Sequence, residues 1–128
     1  MRSSENGEST RVHDMTRPRV IELEETTRLD TSSAESYGAL TRLFSRGEQG
    51  RPGMFTPEYA DEVSRRLVAI SYDPAVDYLL LAGPIVALAA AVSRITAEYG
   101  QLNALTYFMP SRQYVLVTLG LRRDSVTV

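Results

Sequence analysis

The run Asp77 to Leu88, DYLLLAGPIVAL, constrains this chain more than any other stretch. Tyr78 to Ala82 is apolar throughout, the pattern of a strand covered on both faces. Gly83 supplies a sharp turn, and Pro84 has the φ of a first helical residue, where its missing N–H costs nothing. A strand that runs straight into a helix is half of a βαβ unit, and the free N–H groups at such a helix start attract anions. The helix predicted over 84–99 places Ile85, Leu88, Val92, Ile95 and Tyr99 at spacings of three and four, a stripe expected to face the sheet. Ala87, Ala90, Ala91 and Ala97 form a second, smoother side suited to another helix or a second subunit. Gly100 suits the helix end, and Arg94 and Glu98 can pair across one turn.

Leu102 to Phe108 reads as the next strand, Met109 to Arg112 as a turn and Gln113 to Leu119 as an antiparallel return. Upstream, Thr56 and Pro57 open a helix with Tyr59, Val63, Leu67 and Ile70 on one stripe, stopped by Asp73-Pro74. Arg46 to Gly53 is a loop by composition. Tyr37, Leu40 and Phe44 follow the polar cluster Thr31-Ser32-Ser33 at helical spacing, which predicts a short helix near residues 33–45. Pro18 to Glu25 alternates around Val20, Ile21 and Leu23 and predicts a partly exposed strand on a free sheet edge. The expected fold class is therefore α/β: one small domain over residues 17–121, with a mixed sheet of about four strands. It holds a βαβ crossover, a C-terminal hairpin and helices packed on the sheet. Residues 1–16 read as a flexible polar arm and 122–128 as a polar tail. Leu80, Ile85, Leu88, Val92, Leu105 and Val117 are the expected shared core.

Composition removes whole classes of chemistry. The chain of 128 residues has no cysteine and one histidine, His13, in the polar arm. Disulfides, thiolate catalysis and cysteine-ligated metal are excluded, and a Ser-His-Asp triad within one folded subunit is not expected. No cofactor and no metal site are expected. The net charge of −2 gives no global attraction to nucleic acid or to an anionic membrane. Met1 to Thr16 is not a secretory signal, and the uncharged run Tyr78 to Ser93 is short for a bilayer and broken at Gly83-Pro84, so a cytoplasmic location is expected.

Two groups of residues could hold a ligand. Gly83, Pro84 and Ile85 could direct helix N–H groups at a phosphate or carboxylate, although no glycine-rich phosphate motif is present and an ordinary structural turn explains the same residues. Asn103 and Tyr107 share one strand face, with Tyr114 and Arg112 on the hairpin partner and its turn, and together could hold a planar or phosphorylated ligand. Tyrosines covering a sheet face, beside a solvated arginine, are the alternative. Asp73, Asp77 and Glu98 lack the spacing of an acid–base pair and are assigned structural roles, while Arg65-Arg66 and Arg122-Arg123 read as solvated surface.

The order of features from Leu80 to Val117 resembles the small CRISPR-associated Csx-three proteins. The shared features are an apolar strand ending in glycine, Gly83-Pro84-Ile85 opening a helix, and the aromatic and proline turn from Tyr107 to Pro110 before an apolar return strand. That family implies histidine and aspartate catalysis with a divalent metal on cyclic oligoadenylate, yet residues 83–117 hold neither residue type. Only a dimeric, nucleotide-binding scaffold would carry over. The pattern is also similar to short phage open reading frames without assigned activity.

These features favour a non-enzymatic binding or assembly module that forms a homo-oligomer, encoded by a phage or other mobile element. It would work in the host-cell interior or in the virion, with an interface on the N-terminal arm or the alanine side of helix 84–99. The alternative is a sensor or enzyme that binds a small anionic or nucleotide ligand at the Gly83 turn. Neither a membrane nor nucleic acid is an expected partner.

Overall fold

Five strands form one mixed sheet in the computed structural model, which describes residues 17–24, 32–45 and 47–120. The expectations for the arm 1–16, for His13 and for the tail 122–128 lie outside these residues. The strands are β1 (Arg19–Glu24), β2 (Ala39–Phe44), β3 (Tyr78–Leu80), β4 (Gln101–Phe108) and β5 (Gln113–Gly120), in the spatial order β2-β1-β3-β4-β5. The first four run parallel, and β5 returns antiparallel beside β4. Two helices, α1 (Pro57–Ala69) and α2 (Ile85–Tyr99), connect β2 to β3 and β3 to β4.

Strand periodicity divides the core between the two faces. Ile21, Leu23, Leu79, Leu102 and Ala104 meet Tyr59, Val63, Leu67, Ala87, Ala91 and Ile95 of the helices. Val20, Leu80, Leu105 and Tyr114 point the other way, beneath Ala34 and Tyr37. The step from β1 to β2 thus crosses the face opposite the helices, and the steps through α1 and α2 run in the reverse direction across the sheet. A reversal of direction with a change of face is what a constant crossover hand requires. The sheet is doubly wound, with its reversal point between the carboxyl ends of β1 and β3.

The βαβ unit and the hairpin stand as expected, and so does α1. Four upstream and local expectations are corrected. First, the predicted helix near 33–45 is a single 3-10 turn, Ala34–Ser36, followed by β2. A Cβ on Gly38 would lie 2.5 Å from the Pro18 carbonyl oxygen, so the chain is drawn against the start of β1 and continues as its parallel neighbour. Second, β1 is central and not an edge. Its one polar interior residue, Glu22, is buried against Arg42, which the register places opposite it with Nε 2.8 Å from the carboxylate. Third, Pro84 is the N-cap of α2 with ψ 137°, and the helix begins at Ile85. Fourth, the Thr56 hydroxyl donates back to the Gly53 carbonyl (2.7 Å) and does not cap α1.

The orientation of α2 is the larger correction. Ala87, Ala91 and Ile95 are fully buried, while Leu88, Val92 and Tyr99 are partly buried at the margin and Ile85 is 80% exposed. Ala87 and Ala91 of the alanine side face inward together with Ile95 of the expected stripe, because small residues let α2 lie close to its neighbours, while Ala90 is half-buried and Ala97 is exposed. The expected core of six therefore splits: Leu80 and Leu105 lie on the far face, Val117 is half-buried and Ile85 lies outside. Arg94 nevertheless pairs with Glu98 at 3.5 Å and reaches Asp61 of α1 (2.5 Å), and Gly100 closes α2 at φ 84°.

Candidate functional site

The predicted site residues do not converge. Gly83 turns the chain at φ 118°, Pro84 accepts the Leu88 N–H (3.1 Å), and Ile85 projects into solvent at the carboxyl rim of the parallel strands. Tyr107 and Tyr114 are directly opposite across the hairpin and meet edge to face, with centroids 5.2 Å apart. Tyr114 is buried, and its carbonyl accepts the Tyr37 hydroxyl (3.2 Å). Arg112 sits in the turn at φ 56° with its side chain exposed. Asn103 is four residues back along β4, about 13 Å from Tyr107 at an ordinary strand rise. Its amide donates to the Pro74 carbonyl (3.3 Å) and accepts the Thr118 hydroxyl (3.0 Å), so both ends are engaged in tying β4 to its surroundings. Tyr107 and Tyr114 are thus brought together by the hairpin, with Arg112 exposed in its turn. Asn103 and the Gly83 turn are not part of that group.

Among the described residues, Asp77 and Arg66 each centre a polar cluster: Asp77 has the structural role expected of it, whereas Arg66, read from the sequence as solvated surface, is paired internally. The buried Asp77 carboxylate accepts the Arg19 backbone N–H (3.1 Å), the Arg19 guanidinium (2.9 Å) and the Asp73 N–H (2.9 Å). Arg19 also donates to the carbonyls of Ile70 and Ser71, so one ion pair clamps the start of β1 to the end of α1 and the start of β3.

At the opposite end of the sheet, Arg66 lies 4.4 Å over the Phe44 ring and bonds Glu48, Glu62 and the Leu43 carbonyl. Phe44 stacks on Tyr59, whose hydroxyl donates to Glu24 (2.9 Å), and Arg51 pairs with that same carboxylate. The hydrogen bond from Arg66 holds the Glu48 carboxyl down at about 2, with help from the Ser45 N–H. Burial, and then the bond to Glu24, pushes the Tyr59 hydroxyl up. The carboxylate is therefore fixed as an anion and the phenol as a neutral donor, neither poised to exchange a proton near neutral pH. The cluster straps the 45–56 loop onto α1 and β1. The only signal for it in the sequence was Phe44 close to several arginines and glutamates without a register to join them.

Among the described residues, no three His, Cys, Asp or Glu side chains gather as a metal-ligand set, and no helix is long and apolar enough to cross a membrane. A cavity of about 610 Å³ opens at the amino end of β1 and β2, lined by Arg17, Arg19, Glu35, Ser36 and Tyr37. A smaller one of about 280 Å³ lies on the other side of Tyr37 against Gln113 and Tyr114. Arg19 is already committed to Asp77 in the larger cavity.

Exposed apolar side chains are concentrated elsewhere. Phe55, Ile85, Phe108 and Met109 stand along the carboxyl rim, at the approach to α1, the start of α2 and the end of β4. Leu116 and Leu119 stand on β5, which among the described residues has a neighbour on one side only.

A family model described as Phage Pam3 gp32-like protein matches residues 12–121. The chain belongs to this phage protein family. The match spans every strand and both helices, so the whole fold is the family's and not a local motif. No curated protein and no solved structure matches. The phage side of the sequence resemblance is supported in this way, whereas the resemblance to CRISPR-associated Csx-three proteins gains no support.

Proposed function

We propose that this phage-family chain is a non-enzymatic assembly module that associates with copies of itself. The observation that carries the reading is the distribution of side chains. Apart from Val68 on α1, the large apolar groups that stand in solvent among the described residues lie along one rim and one edge strand, while Asp77, Glu24, Glu48, Arg51 and Arg66 are consumed by internal pairing. Apolar groups gathered on a rim and an edge strand mark interaction surfaces more often than chance exposure does. Such a module would act in the infected cell or in the virion. The alternative, an anion or nucleotide sensor at the reversal point between β1 and β3, has that topology in its favour. It has less support from the chemistry, because Arg51 and Arg66 on the same rim are already neutralised by Glu24, Glu48 and Glu62.

Sedimentation velocity over a wide range of concentrations tests the reading, using the full-length chain. A species heavier than a monomer that grows with concentration is expected. A monomer at the highest soluble concentration overturns it, and tight binding of a nucleotide by that monomer would favour the sensor.

A further inference from the structure

Resting on the reading above, we propose that two copies pair antiparallel along the outer edge of β5, about a two-fold axis through Leu116 or Val117, to make one sheet continuous through both subunits. β5 runs from Gln113 to Gly120 as QYVLVTLG, without a charge or a proline, and its outer N–H and C=O groups face no other strand among the described residues. Natural edge strands are ordinarily short, charged or interrupted, because an open edge recruits another strand. β2, the opposite edge, follows that habit: it carries Arg42 and lies against the 3-10 turn. β5 does not.

The side chains point to a copy of the same strand as occupant. Leu102, Ala104 and Thr106 lie opposite Leu119, Val117 and Val115, so those three β5 residues share the helix-side face, and Leu116 shares the other face with Leu105. Leu116 is 48% exposed and Leu119 38%, so β5 offers apolar surface on both faces of the sheet. A charged partner would find nothing on this strand to pair with. A second β5 meets no like charge, covers apolar groups on both faces, and satisfies both edges with a single isologous contact. Since β5 is already antiparallel to β4, the added strand continues the same ladder type.

A two-fold axis perpendicular to the sheet keeps each face on its own side, so opposed residues have the same parity and one residue opposes itself. The absence of native cysteine makes this directly readable. Val115→Cys, Leu116→Cys, Val117→Cys and Thr118→Cys, each alone in the full chain, are oxidised mildly and resolved by mass. Opposed residues in an antiparallel pair have Cα atoms about 4.5–5.5 Å apart, within disulfide reach, while positions one step from the axis are too far. Rapid dimer formation at either Leu116→Cys or Val117→Cys, with the neighbouring positions much slower, is expected. Equal cross-linking at adjacent positions, or none in a chain that still sediments as an oligomer, overturns the β5 pairing and leaves self-association by another surface. A monomer overturns both. Amide exchange of the unsubstituted chain gives an independent measure: alternate β5 amides should gain protection as concentration rises, and unchanged β5 exchange in the oligomer rejects the pairing.

Discussion

Replacing Asp77 by asparagine keeps the side chain's size and removes its charge. The native carboxylate, 1% exposed as a residue, uses one oxygen for the Arg19 backbone N–H and Nε, and the other for Arg19 Nη2 and the Asp73 N–H. Asparagine has a single acceptor oxygen. If it serves the first pair, its amide NH2 confronts Nη2 and the Asp73 N–H, donor against donor. Two bonds to an ionised acceptor are then lost, each contributing about 1.5–3 kcal/mol. Arg19 is about a quarter exposed and retains the Ile70 and Ser71 carbonyls, so solvent recovers part of that loss. The expected destabilisation is about 2–4 kcal/mol. Urea unfolding followed by far-ultraviolet circular dichroism, at one fixed protein concentration, reads this as a lower midpoint with little change in slope. In an Arg19→Met background the same substitution should cost markedly less, since the two changes share one interaction. A loss below about 0.5 kcal/mol, the range of an ordinary surface change, would refute the clamp.

Two further substitutions probe the helix orientation and the charged strap. Ala91→Leu should overpack the contact of α2 with the core and cost about 1–3 kcal/mol, whereas Ile85→Ser, on a residue that the sequence alone placed in the core, should stay within about 0.5 kcal/mol. The reverse order in thermal or urea unfolding would restore the opposite face of α2 as the buried one. Glu48 is lowered from 4.5 to about 2, so the native state holds fewer protons than the unfolded chain across that interval. The contribution of Glu48 is therefore complete above about pH 4.5 and is lost as pH falls toward 2. Glu48→Gln should flatten the acid side of the stability profile between about pH 5 and pH 3, and an unflattened profile would remove Glu48 from the strap.

Local chemistry explains why some elements were legible in the sequence. Gly83-Pro84 ends one element and starts another, the stripe Tyr59, Val63, Leu67 repeats at helical spacing, and β4 and β5 flank a proline turn. Each signal is complete within a few residues. The segment 37–44 misled because Tyr37, Leu40 and Phe44 fit a helix as well as they fit a turn followed by a strand. Its strand form depends on β1 being there to pair with, and on the close approach at Gly38. Likewise Glu22 looked like the polar side of an exposed strand until the register set Arg42 opposite. The candidate residues around Tyr107 and Tyr114 were legible as a cross-strand pair, since hairpin register follows from the turn. The network around Arg66 was not, because its members come from β1, β2, the following loop and α1.

The sequence by itself determined that this chain is an α/β domain with a βαβ unit, a C-terminal hairpin and an amphipathic helix over 57–70, one residue longer than the helix observed, since turn residues and hydrophobic period act at short range. Only the tertiary structure decided that β1 lies inside the sheet between β2 and β3, that Ala87 and Ala91 of α2 face inward, and that β5 has a neighbour on one side only among the described residues. Those outcomes depend on which surfaces meet across the sheet. A helix with two apolar sides can bury either one, and the choice falls to the side that lets its neighbours approach most closely.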